Sequence, residues 1–154
     1  MNDLLMYLLL QLFLCFIATI GFSIICNVSR YVLVYCGLVG AGGYLAYWIF
    51  MQFWHNMAMA SLVGSVFVAF LASRMSRFCK MPVTVFNIPG MVPLVPGGMA
   101  YEAIRALGEG DYNAFMSAGV NTMMVAGAIA LGLVMSEAFN HSIRNFVFRF
   151  RRGN

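Results

Sequence analysis

Residues 85–111 read VFNIPGMVPLVPGGMAYEAIRALGEGD. The chain on either side is oily and regular, so the reading of this window decides the fold. It gathers Pro89, Pro93 and Pro96, then Gly97 and Gly98, then Tyr101, Glu102 and Arg105. A proline removes a backbone donor and clashes with the preceding helical turn. Three prolines within eight residues, with Gly90 among them, cannot remain an ordinary helix. The apolar part of the window, residues 83–95, is also too short to span a bilayer as one straight helix.

Composition sets the solvent. Of 154 residues, 62% are hydrophobic and 9% charged, where a soluble domain carries roughly a quarter charged residues. Such a chain cannot cover a water-facing surface, and lipid must take most of it. The expected fold is an all-α membrane protein with about five transmembrane helices, the fourth broken by Pro and Gly. Residues 1–154 form a single integral membrane domain, with spans at about 4–26, 31–53, 57–72, 82–107 (broken) and 114–139. A basic tail, 140–154, follows. The opening MNDLL has an acid and no basic start, and its apolar run is too long for a signal peptide, so it reads as a retained helix.

Charge supplies the orientation. Basic residues mark the cytoplasmic side of short loops. With Arg30 inside, the second helix exits near His55 and the third returns to Arg74, Arg77 and Lys80. The tail, with Arg144, Arg149, Arg151 and Arg152, should also be inside, so the last helix must start outside, near Glu109 and Asp111. A chain inside at Lys80 and outside at Asp111 has crossed between them. This places the N-terminus outside and the C-terminus in the cytoplasm, in a bacterial inner membrane. A four-crossing arrangement, with 82–107 on the membrane face, would put the basic tail outside.

A broken crossing carries functional meaning. Unpaired backbone at membrane depth must be buried in protein or line a wet cavity, and interrupted helices are where secondary transporters often hold substrate. The helix resuming at GGMAYEAIRAL would offer its N-terminal amides to a carboxylate. Tyr101 and Arg105 fall on one face, with Glu102 beside them. The candidate substrate-binding residues are Asn87, Pro89, Gly90, Pro93, Pro96, Gly97, Tyr101, Glu102 and Arg105, joined by Asn121 and Thr122 of the last helix. The plainer alternative is a kink at the membrane edge, with Glu102 and Arg105 paired to each other. For Asn121 and Thr122, helix–helix hydrogen bonds are the alternative. Glu137 reads as a partner for Arg144 or a relay residue.

Other features are structural or negative. The small residues of GLVGAGGYLA, 37–46, mark a packing face. Trp48, Trp54 and Tyr47 suit an interfacial belt. Cys15, Cys26, Cys36 and Cys79 form no CxxC pair and read as small buried thiols. No catalytic constellation, metal site or ATPase motif is present, so the expectation is a non-enzyme without cofactors. No nucleic-acid-binding module accompanies the positive net charge.

The run Val92-Pro93-Leu94-Val95-Pro96-Gly97, with Ala100-Tyr101, Ala103-Ile104-Arg105-Ala106-Leu107 and Gly110-Asp111, resembles the threonine/serine exporter family, ThrE. The resemblance covers roughly residues 5–145 and is to the small-subunit, YjjB-like form. It implies one half of a pseudo-symmetric, two-component exporter whose partner is a larger ThrE/YjjP-like membrane subunit. The substrates it implies are small polar metabolites: threonine, serine or, for some members, a dicarboxylate such as succinate. Efflux would draw on the proton gradient. A non-transporting membrane scaffold or assembly partner is the rival reading.

Overall fold

The computed structural model describes residues 2–151, and side chains over residues 5–138. It is built of helices: α1 (Asn2–Ile25), α2 (Leu33–Trp54), α3 (Met57–Cys79), α4 (Thr84–Gly90), α5 (Gly97–Glu109) and α6 (Tyr112–Arg151). A 3₁₀ turn, Arg30–Val32, leads into α2, and another, Val92–Leu94, joins α4 to α5. Among the described residues, four stretches are long and apolar enough to cross a membrane: Leu5–Ile25, Arg30–Trp54, Met57–Cys79 and Tyr112–Ala138. Thr84–Leu94 is a shorter apolar helix. The chain is thus an all-α membrane protein whose fourth element is broken, as the sequence predicts. The last helix runs on past Phe139 to Arg151, so the basic tail does not end it. The side chains of that tail and of His141 lie outside the described ones.

The links between the long helices are short and polar. Asn27, His55 and Lys80 each take a left-handed conformation, with φ of 55°, 50° and 54°, and each closes a helix. Asn56 follows in extended conformation, and its Oδ1 accepts from the amides of Ala58 at 3.1 Å and Met59 at 3.3 Å, which caps α3.

Lipid gives no hydrophobic drive between helices, so close packing of small residues must hold them. The α1–α2–α3 layer follows that rule. Gly37 lies under Phe16 and Ile20, Gly40 under Thr19, and Gly43 under Val68. The predicted small-residue face is therefore an internal seam, clasping α1 on one side and α3 on the other. Helix α3 sits centrally and buries paired positions along its length: Ala60 and Ser61, Gly64 and Ser65, Val68 and Ala69, Ala72 and Ser73. Its buried serines Ser61, Ser65 and Ser73 return their hydroxyls to their own helix, as Ser61 does to the Met57 carbonyl at 2.8 Å. Helix α6 packs on α3 through Val125, Ala128, Ile129, Gly132 and Ser136, one narrow face, with Gly132 against Ser65 and the Leu62 carbonyl.

The broken element threads this body. The Cys36 thiol contacts the Val85 carbonyl, Gly90 sits between Val39 and Val68, and Leu94 and Tyr47 meet at Gly64. From Val85 to Leu94 the chain therefore advances along α2 in the same direction and along α3 in the opposite one. It starts at the Lys80 end and finishes near the start of α3. Helix α5 then packs chiefly on α6 through Ala103 and Ala106, forming a helical hairpin.

Candidate functional site

The break mends most of its own backbone. Pro89 has no N–H for the Val85 carbonyl four residues earlier, and the Cys36 thiol donates to that carbonyl at 3.5 Å. Leu94 N–H donates to Met91 O at 2.9 Å, Val95 N–H to Val92 O at 3.3 Å, and Gly97 N–H to Val95 O at 2.8 Å. Tight turns and one thiol thus satisfy the carbonyls of Val85, Met91, Val92 and Val95. The start of α5 stays open. Pro96 stands at its N-cap and no side chain caps it, so the first-turn amides of Gly98 and Met99 carry no partner among the described residues.

A cleft of about 240 Å³ lies beside that opening. Pro93, Leu94, Val95, Pro96 and Met99 form one wall. Tyr44 and Tyr47 of α2, Met57 and Ser61 of α3, and Val125 of α6 form the others. At about 30 Å³ per water, the cleft has room for a small metabolite. The Tyr44 hydroxyl donates to Gln11 Oε1 of α1 at 2.9 Å, which fixes its ring at the wall. The lining is apolar with a few hydroxyls and contains no charged side chain among the described residues.

The predicted residues divide around this cleft. Pro93 and Pro96 line it, and Gly97 follows directly. Pro89, Gly90 and Asn87 are buried below it in the helix body. Tyr101, Glu102 and Arg105 are exposed on the outer face of α5. Arg105 does not pair with Glu102. Its Nε donates to Glu109 Oε1 at 2.9 Å, one helical turn on, with both side chains more than half exposed. Asn121 is exposed, and the Thr122 hydroxyl donates to the Ala118 carbonyl at 2.8 Å, so it bonds within its own helix. Both stand about one turn before Val125. Trp54 is largely exposed at the end of α2, while Tyr47, expected beside it, lines the cleft. Cys36 is buried and Cys26 exposed.

Sequence reasoning missed Gln11, Tyr44 and Ser61. Gln11 is a lone amide in an otherwise apolar stretch of α1, which was the available signal. Tyr44 and Ser61 gave none, because a tyrosine and a serine in apolar helices are ordinary packing residues until their neighbours are known.

A broken helix beside a small cleft that carries a few hydroxyls, set in a bundle of apolar helices, defines a membrane protein of the transport class. A family model described as "Threonine/Serine exporter, ThrE" matches residues 11–139. The chain belongs to that threonine/serine exporter family. It is also 25% identical, over 136 residues and 83% of its length, to an uncharacterized protein of Haemophilus influenzae. Those residues make up 46% of the relative, so this chain spans about half the length of the curated protein it matches. No solved structure matches it.

Proposed function

We propose that this chain is one half of a two-component secondary exporter of small polar metabolites. The observation that carries the reading is the cleft at the proline break, lined by Tyr44, Tyr47 and Ser61 beside the open start of α5. Free amides at a helix start suit a carboxylate, and neutral hydroxyls suit an uncharged polar group. This lining favours a hydroxy amino acid such as threonine or serine over succinate, because no cationic side chain waits for a second carboxylate.

The partner is a larger membrane subunit that supplies the other half of the route. The Haemophilus relative, about twice as long as the matched region, supports a half-length chain working with a second half. In the proposed orientation the Lys80 end faces the cytoplasm of a bacterial cell and the cleft faces outward, with the N-terminus outside.

Efflux of labelled serine, threonine and succinate from vesicles carrying this chain, with and without the larger subunit, tests the reading. Gradient-dependent efflux of serine or threonine by the pair is the expected result. A pair that binds and assembles yet moves none of the three would favour a scaffold. Cysteine labelling at position 55 from outside the cell checks the orientation.

A further inference from the structure

The buried face of the broken element continues below the cleft. Asn87, Gly90, Met91 and Leu94 are spaced as one helical face, and all four are buried. Leu94 lines the cleft. One turn below it the packing closes to a neck at Gly90, where an added Cβ would lie 2.8 Å from Val39 Cγ1 and 3.0 Å from Val68 Cγ1. Below that neck sits Asn87, 8% exposed. Its Oδ1 is fully buried and has no hydrogen-bond partner among the described residues. A buried acceptor without a donor costs the folded state its desolvation and gives nothing back. Buried amides are otherwise paired almost without exception.

We propose that Asn87 is a second binding position on the transport route, which accepts a hydrogen bond from the cargo once the Val39–Gly90–Val68 neck parts. The inference rests on the exporter reading and adds what the cleft alone does not give: the chemistry of the next step inward. A carbonyl oxygen recognises a donor, so the group that pairs with Asn87 Oδ1 is a hydroxyl or an ammonium. The amides of α5 and Asn87 then read opposite ends of a zwitterion at two depths. The neck between them has glycine on one side and two valine side chains on the other. Such a constriction opens by small rotations of valine or a slight shift of α4, without unmaking a helix.

The test replaces the amide by an apolar side chain of similar volume, Asn87→Leu. Two measurements are made: thermal unfolding of the purified chain in detergent, and serine and threonine efflux from vesicles carrying both subunits. The inference expects a melting temperature equal to or above wild type, because an unpaired acceptor has been removed, together with at least a tenfold loss of efflux. Asn87→Ser, which keeps an acceptor at the position, should recover part of the efflux. A lower melting temperature for Asn87→Leu would show that the amide is a structural bond and would overturn the proposal. So would a stable Asn87→Leu protein that exports like wild type. Wild-type vesicles that export neither amino acid would sink the exporter reading and this inference together.

Discussion

The Cys36 thiol of α2 and the carbonyl of Val85 in α4 meet at 3.5 Å, and Pro89 is the reason they need each other. The proline deprives that carbonyl of its helical donor, and a side chain forty-nine positions earlier in the chain fills the gap. The break is therefore held from outside itself, by the helix it packs against. Removing the thiol by Cys36→Ala should strand the carbonyl and lower stability by roughly 1 kcal/mol. Cys36→Ser, which keeps a hydroxyl donor, should lose less. Thermal unfolding in detergent of both variants reads the difference.

The cleft should respond to loss of single hydroxyls without loss of the fold. Tyr47→Phe and Ser61→Ala remove one hydroxyl each and no packing contact of size. If each hydroxyl serves the cargo, the concentration needed for half-maximal serine efflux should rise roughly two- to tenfold, the equivalent of one neutral hydrogen bond. Unchanged efflux in both would move the binding position elsewhere.

The charged residues of α5 should be quiet. Arg105 and Glu109 form an exposed pair on the far side of α5 from the cleft, and exposed pairs contribute little to stability. Arg105→Gln and Glu102→Gln should leave both the melting temperature and serine efflux at wild-type values. A marked loss of efflux in either, with the fold intact, would assign those residues to the cargo or to the partner's surface.

Two glycines of α6 should behave oppositely. At Gly132 an added Cβ would lie 2.9 Å from the Leu62 carbonyl, and backbone cannot step aside. Gly132→Ala should part α6 from α3 and destabilise by about 1–3 kcal/mol. At Gly127 nothing lies within 4 Å. Gly127→Ala should be neutral or stabilise by up to about 1 kcal/mol, from helix propensity alone. The two melting curves, taken side by side, check the α3–α6 packing face.

Much of this architecture was legible in the sequence because bilayer physics writes it in single residues. Apolar length set the long helices, and Asn27, His55, Asn56 and Lys80 marked their ends. The prolines located the break, and the glycines of 37–46 announced a packing seam. The site was less legible. Arg105 looked paired with Glu102, three residues before it, but the four-residue spacing to Glu109 gave the better fork. Along the break, the Val85 carbonyl found a tertiary partner that no local rule could supply. Tyr44, Gln11 and Ser61 come from three different helices, so their meeting is a property of packing and not of any motif. The last helix runs on into the basic tail because arginine is a good helix former, and a basic run does not stop a helix.

The glycine seam along α2 has a mechanical consequence. With Phe16 and Ile20 over Gly37 and Thr19 over Gly40, α1 is notched onto α2, and Val68 notches α3 onto the same helix at Gly43. Any sliding between them would drive a methyl or a ring into backbone, so these three helices behave as one stiff frame. Gly132 notches α6 onto α3 in the same way, whereas Gly97 and Gly98 at the root of α5 meet nothing within 4 Å. If the protein works by alternating motion, the frame and α6 stand still and α5 is the element free to shift.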